Sequence, residues 1–114
     1  MVLSLNLRNF DVEINSVKPV AVKFFSLWNK SSRDFEDVFK MLETDIPEMK
    51  FCEVNIDSNP ELKTKYRIIE TPVLFILNNR EVVAHVDASN TRRTIKEELK
   101  LIARKIKSMN ENKF

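Results

Sequence analysis

The chain has 114 residues, 43% of them hydrophobic and 32% charged, and this length suits one domain with a single core. Its 19 Lys and Arg against 17 Asp and Glu give a net charge of +2, too small a balance to indicate a nucleic-acid or membrane partner. The single cysteine excludes an intrachain disulfide, a Cys-x-x-Cys redox pair and a zinc site built from several thiolates.

The apolar runs and the N-terminus bear on where the protein acts. No apolar run approaches the roughly 20 residues that a membrane span needs. The first residues lack the basic start and the long apolar block of a signal peptide. We therefore expect a cytoplasmic protein.

The first half of the chain alternates strand and helix. Residues 2–7 alternate apolar with polar side chains, which predicts a short strand, and Asn9 can cap a brief helix after it. Residues 20–25 form a near-continuous apolar run, typical of a strand buried on both faces of a parallel sheet. The period then becomes helical until Pro47. The apolar positions of these two helices are Phe10, Ile14 and Val17, then Phe35, Val38, Phe39 and Leu42.

A third strand and a third helix follow. Residues 51–56 have the length and composition of a strand. Asn59 then stands as a cap residue before Pro60 at the first helical position, and this pattern predicts a helix through Tyr66. The order up to this point is therefore βαβαβα.

Two strands are joined by a short turn in the second half. Residues 73–77 and 81–86 are apolar runs separated by only three residues, so they must pair as an antiparallel hairpin. The chain contains no glycine, and a turn position that needs a positive φ must be held by Asn, Asp or a costlier residue. We expect Asn79 to take that place.

The last helix is predicted from about Thr91 to Met109, with one apolar stripe along it. Residues 110–114 are expected to be a frayed tail, which leaves residues 1–109 as the single domain. The stripe consists of Ile95, Leu99, Ile102, Ile106 and Met109.

Several segments resemble the thioredoxin family in order and spacing, over roughly residues 1–105. They are residues 18–28, 54–60, 66–68 and 71–75. The resemblance implies an α/β thioredoxin fold, with a central mixed sheet of about five strands and about four flanking helices. It also implies that Thr71-Pro72 matches the cis-proline of the family.

The sequence departs from the family at its redox motif. Thioredoxins resemble one another in Trp-Cys-x-x-Cys, whereas this chain has Trp28-Asn29-Lys30-Ser31-Ser32. Neither Asn29 nor Ser32 has a thiol that can form a mixed disulfide, so dithiol exchange is excluded at this site. Asn29 is instead expected to cap the following helix, and Ser32 is expected to be only a polar residue in the first turn of that helix.

A second departure concerns a pair of charges. The resemblance implies a carboxylate on the second strand and a lysine on the third, but these positions carry Lys23 and Glu53, with the signs exchanged. We expect the two to neutralise one another across neighbouring strands. The alternative is that Lys23 reaches outward while Glu53 is solvated.

A binding groove is the other feature that the resemblance implies. Trp28, Thr71-Pro72 and Asp87-Ala88 match the shallow groove in which thioredoxins hold an extended segment of a partner protein. Asp87 stands where the family usually has glycine and could change which partner fits. Trp28 could equally pack over the helix start.

Other candidate residues have structural interpretations. Cys52 lies within a strand, where a lone thiol behaves as a small hydrophobe. His85 has no second ligand pattern near it, so we expect neither a metal site nor a cofactor. The basic last helix is expected to be a solvated face, because no aromatic residues are interleaved for base stacking. Its cations are Arg92, Arg93, Lys96, Lys100, Arg104, Lys105 and Lys107.

The preferred hypothesis is a redox-inactive thioredoxin-like protein that serves as a protein-binding or assembly module. Its partner would be another protein or an extended peptide segment, with no membrane involved and nucleic acid disfavoured. The alternative is a thiol oxidoreductase in cell redox homeostasis that uses Cys52 or the thiols of a partner. A component of an RNA–protein complex that uses the basic helix is a third, weaker hypothesis. The oligomeric state is left open.

Overall fold

The computed structural model describes residues 1–111 and shows one mixed sheet between two layers of helices. The strands are β1 (Leu3–Leu5), β2 (Val20–Phe25), β3 (Lys50–Asn55), β4 (Val73–Asn78) and β5 (Glu81–Val86). The helices are α1 (Phe10–Ile14), α2 (Lys30–Asp45), α3 (Pro60–Lys65) and α4 (Arg92–Glu111). The predicted α/β class, with five strands and four helices, is confirmed.

The strands lie in the order β1-β3-β2-β4-β5. β1, β3 and β2 are parallel, β4 is antiparallel to β2, and β5 is antiparallel to β4. The run at residues 20–25 is buried because β2 is the central strand of this sheet, with neighbours on both edges and helices on both faces.

Two apolar clusters pack on opposite faces of the sheet. On one face α2 and α4 place Phe39, Leu42 and Leu99 against the sheet. On the other face α1 and α3 bring Phe10 and Leu62 against it. Alternate residues of each strand point to opposite faces, so the same three central strands serve both clusters.

Some predicted ends differ from the structure. Strand β1 covers only three residues, and α1 ends at Ile14, which leaves Val17 fully exposed instead of on a helical face. Met109 is also exposed, and Ala103 is buried in the apolar stripe of α4. Helix α4 continues to Glu111, beyond its predicted end at about Met109. The rest of the predicted tail, residues 112–114, lies outside the described residues.

Asn59 does not cap α3 through its side chain. Its amide nitrogen donates to the carbonyl of Asn55 over 2.9 Å, and its Oδ1 accepts from the amide of Leu7 over 3.2 Å. The side chain therefore ties the loop after β1 to the loop after β3.

The turn between β4 and β5 uses two residues in the left-handed region. Asn79 has φ 53°, as predicted, and Arg80 follows with φ 67°. Both central positions of this two-residue turn thus have the positive φ that matches the twist of the hairpin. Arg67, after α3, is the third such position among the described residues.

Candidate functional site

The motif segment and the Thr71-Pro72 turn lie at one end of the sheet. Phe24 of β2 is opposite Val73 of the antiparallel β4, so the chain leaving β2 meets the chain entering β4. Leu74 is opposite Val86, which brings the end of β5 to the same place. Loops from three strands therefore converge where the resemblance predicts the groove.

Asn29 is the N-cap of α2. Its backbone is extended, with φ −103° and ψ 120°, and its Oδ1 accepts from the amide of Ser32 over 2.8 Å. The amides of the first helical turn have no partner within the helix, and this bond satisfies one of them. Asn29 therefore caps α2 through its side chain, as predicted.

Ser32 does more than add polarity to the first turn. It is only 2% exposed, and its Oγ accepts from the amide of Ser26 over 3.2 Å. The Ser26 hydroxyl in turn donates to Asp57 over 2.7 Å and accepts from the amide of Trp28. These bonds tie the loop between β2 and α2 to the loop after β3.

Sequence analysis missed Ser26 and Asp57. Their positions in the sequence could have indicated a role. Ser26 comes directly after β2 and Asp57 shortly after β3, and the loops that follow neighbouring parallel strands meet at the same edge of a sheet. Their pairing across two loops could not be inferred, since it depends on the relative position of the two strands.

The remaining motif residues face outward. Trp28 is 88% exposed, so it does not pack over the helix start. Lys30 is exposed and pairs with Asp34 one turn later, at 2.8 Å. Ser31 is exposed on the first turn of α2.

Lys23 and Glu53 are neighbours on β2 and β3. They are opposite each other in the register, and Lys23 Nζ lies 3.5 Å from Glu53 Oε1. The Lys23 side chain is 3% exposed and also lies over the rings of Phe25 and Phe39, at 4.8 Å and 5.0 Å from their centroids. Lys23 therefore does not reach outward to solvent. Its ammonium group cannot accept a proton from a nucleophile above it.

A groove of about 590 Å³ lies between α2 and the Thr71-Pro72 turn, whose peptide bond is cis. We call it the α2 groove. Its lining residues are Ser31, Asp34, Phe35, Val38, Glu70, Thr71, Pro72, Asp87, Ala88, Ser89 and Asn90. Four of the five predicted groove residues are thus brought together, whereas Trp28 does not line it.

A second groove of about 710 Å³ lies on the other side of Pro72. We call it the β5 groove. Its lining residues are Tyr66, Arg67, Ile68, Ile69, Glu70, Pro72, Val73, Phe75, His85, Val86, Asp87 and Ala88. Because Glu70, Pro72, Asp87 and Ala88 line both grooves, they form a ridge between them.

His85 lies on the wall of the β5 groove. Its ring stacks on the ring of Phe75, with centroids 4.2 Å apart and an interplanar angle of 8°. Within residues 1–111, no group of three or more His, Cys, Asp or Glu is placed to hold a metal ion. The contact that the structure shows for the His85 ring is its stacking on Phe75.

Cys52 is fully buried in the middle of β3. It is opposite Val22, three residues before the end of β2, which places it about 10 Å from the motif end of the sheet. Burial is the main cause that raises the pKa of its thiol to about 11. The thiol is therefore protonated near neutral pH and out of reach of a partner's disulfide.

The comparisons with known proteins include a matching family model and two relatives named as thioredoxins. The family model described as Thioredoxin matches residues 1–101. The chain is 32% identical over 80 residues to Thioredoxin H5 of Oryza sativa subsp. japonica, a match that covers 66% of this chain and 59% of that protein. It is 30% identical over 76 residues to Thioredoxin of Rickettsia bellii (strain RML369-C), covering 65% and 72% respectively.

A solved structure shows the same fold. The crystal structure of thioredoxin from Trypanosoma brucei brucei superposes with a TM-score of 0.80 over 90% of each chain, at 20% sequence identity. The predicted thioredoxin fold is therefore confirmed. With a family model that covers most of its length, this chain belongs to the thioredoxin family.

Proposed function

We propose that this chain is a redox-inactive, cytoplasmic thioredoxin-like protein that binds another protein through the α2 groove beside Pro72. The observation that carries the proposal is the state of the motif. Asn29 and Ser32 have no sulfur, and their side chains are already bound to the backbone of their own loop. Thiol exchange needs a thiolate at this place, so the groove is left as the feature that can act on a partner.

The backbone of the turn supports a role in binding. Strand β4 begins at Val73, and within residues 1–111 neither the amide nor the carbonyl of Thr71 has a hydrogen-bond partner. A donor and an acceptor on one half-buried residue can pair with an extended peptide in the way that a strand is added to a sheet. The exposed indole of Trp28, at the same end of the sheet, offers further apolar contact area.

The names of the curated relatives favour the alternative at family level, because both are thioredoxins. A reductase assay separates the two hypotheses. We expect the purified chain not to accelerate the reduction of insulin by dithiothreitol, because no thiolate is available at the motif. An acceleration that disappears in the Cys52→Ser variant would refute the redox-inactive proposal and support the enzyme.

A crosslinking experiment tests the binding role. A photoreactive amino acid in place of Ser89 lies in the α2 groove, whereas the same amino acid in place of Glu81 lies at the opposite end of β5. We expect one cellular protein to crosslink at the first position and not at the second. The purified partner should then bind the chain directly.

Matched variants make this experiment specific. Ser31→Trp fills the α2 groove from the exposed start of α2, and Ser108→Trp makes the same change at an exposed position of α4. Binding of the purified partner should be lost in the first variant and kept in the second. Equal binding by both variants would refute the groove as the binding site.

A further inference from the structure

Two carboxylates stand on the ridge at Pro72. Glu70 immediately precedes the Thr71-Pro72 turn, and Asp87 comes directly after β5. Both are exposed, and both line the α2 groove as well as the β5 groove. A segment that crosses Pro72 from one groove to the other therefore passes close to both carboxylates.

The two carboxylates on this ridge are not paired with cations, although Arg67 also lines the β5 groove. Across residues 1–111, neither Glu70 nor Asp87 forms an ion pair. The Asp87 carboxylate accepts from the amide and the hydroxyl of Ser89, at 2.9 Å and 2.7 Å, and these bonds hold the pKa of that carboxyl below its usual value. Asp87 is therefore fully ionised at neutral pH.

The other charges in the lining of the α2 groove do not offset the negative charge of Glu70 and Asp87. Asp34, on the wall formed by α2, is paired with Lys30. No Lys or Arg is among the described residues that line the groove. Although the net charge of the chain is +2, Glu70 and Asp87 thus form a negative rim beside the Thr71-Pro72 turn.

Part of the lining of the α2 groove is apolar. Phe35 and Val38 of α2 line it together with Pro72 and Ala88, and Phe35 and Ala88 are only 4% and 7% exposed. An apolar side chain of a bound segment can be covered by these residues. In an extended segment the residues on each side of it lie about 3.3 Å further along the chain, close to the carboxylates of the rim.

We propose that the groove selects a cationic extended segment, with an apolar residue over Pro72 and Lys or Arg on each side of it. This inference rests on the proposed function, because it assumes that the α2 groove binds a peptide. Glu70 and Asp87 are then the residues that decide specificity, by attracting a basic segment and repelling an acidic one. A nucleic acid would be repelled from this rim.

Three short capped peptides test the inference. All have a single leucine at the centre, and the residues directly on both sides of it are lysine, serine or glutamate. Each is titrated into isotopically labelled protein, and amide chemical shifts give both the binding site and the Kd. We expect shifts at Thr71, Ala88 and Ser89, and a Kd about tenfold lower for the lysine peptide than for the glutamate peptide at low salt. Raising the ionic strength to about 0.3 M should shrink that ratio.

Matched variants test whether Glu70 and Asp87 cause the preference for the lysine peptide. Glu70→Gln with Asp87→Asn removes both charges at similar volume, and the ratio between the lysine and glutamate peptides should fall to near one. Glu48→Gln with Glu81→Gln makes the same change in net charge at exposed positions on the opposite end of the sheet, and the ratio should persist.

The outcomes separate this inference from the proposed function. If all three peptides shift the groove amides with equal affinity, the groove binds peptides but the charge selectivity is refuted. If no peptide shifts these amides at millimolar concentration, both the selectivity and the groove as a peptide site are refuted.

Discussion

Asn29 and Ser32 are each bound to backbone atoms of the loop in which they lie. Asn29 accepts from the amide of Ser32, and Ser32 accepts from the amide of Ser26. Each side chain satisfies a backbone donor that would otherwise be left without a partner near a helix start. Positions that hold a redox pair in the family therefore stabilise the fold in this chain.

The Asn29→Ala variant should lower the free energy of unfolding by about 0.5–2 kcal/mol, because the Ser32 amide loses its acceptor. Asn29→Asp should cost little, since a carboxylate can accept the same bond. Urea unfolding followed by circular dichroism measures both changes. Ser31→Ala, at an exposed position of the same turn, is the control. An alanine variant as stable as the parent would contradict the capping role.

Strands β2 and β3 are joined by a charge pair as well as by the hydrogen bonds of the sheet. Lys23 is almost fully buried, while Glu53 keeps 26% of its side-chain area exposed. Taking an ammonium group out of water is costly unless a partner compensates, and Glu53 and two aromatic rings are the compensating groups in this structure.

A double-mutant cycle with Lys23→Met and Glu53→Gln should give a coupling energy of about 1–3 kcal/mol, because each single change leaves the other group without its partner. Chemical denaturation of the parent, the two single variants and the double variant supplies the four free energies. Coupling below about 0.5 kcal/mol would mean that the two charges are energetically independent.

Helices α2 and α4 are joined by a second ion pair at their ends. Arg92 at the start of α4 donates to both carboxylate oxygens of Asp45 at the end of α2, at 3.0 Å and 2.9 Å. Each charge has the unfavourable sign for the end of its own helix, so their contact removes two unfavourable interactions at once. These bonds are the main cause that lowers the pKa of Asp45 below 3.8.

Asp45→Asn should therefore destabilise the fold in a pH-dependent way. A carboxyl whose folded pKa is lowered contributes its full stabilisation above the unfolded value of 3.8, and this contribution is lost as the pH falls through the folded pKa. Urea midpoints of parent and variant should differ at neutral pH and converge in strong acid. Asp37→Asn, at an exposed position of α2, should show no such convergence. An Asp45→Asn gap of equal size at both pH values would contradict the assignment.

The single sheet of this protein has an apolar core on each of its two faces. Cys52 is on the face covered by α1 and α3, in a strand that has neighbours on both edges. Exposing this thiol requires separating helices from the sheet, and that disrupts the whole domain.

Among the described residues, no helix is both long and apolar enough to cross a membrane.

The reaction of Cys52 with Ellman's reagent should consequently report global unfolding. In the native state we expect a rate about 10³-fold or more below that of an exposed thiol, because burial both blocks access and raises the thiol pKa to about 11. The rate should rise with urea in parallel with the equilibrium unfolding constant. A Ser31→Cys, Cys52→Ser variant supplies the exposed thiol for comparison. Fast labelling of native Cys52 would contradict its burial and reopen the oxidoreductase hypothesis.

The local chemistry of the sequence determined the elements and their order. The buried run at residues 20–25, the helical period from Phe35 to Leu42 and the short link between β4 and β5 each reflect a local preference or a limit on chain length. The same holds for Asn29 and Asn79, whose side chain and backbone tolerance suit a helix cap and a left-handed turn. The missing sulfur at the motif also needed no structure to be recognised.

The contacts of those residues depend on the tertiary structure. Ser26 bonds to Asp57, Asp45 pairs with Arg92, and Glu70 and Asp87 line the same groove. Each of these pairs joins segments that are far apart in the chain. No local propensity encodes such contacts, because they arise when the sheet order brings separate strand ends together. For the same reason, the sequence could not show that Trp28 lies outside the lining of the α2 groove. Nor could it show that Glu70 and Asp87 both lie at the rim of this groove.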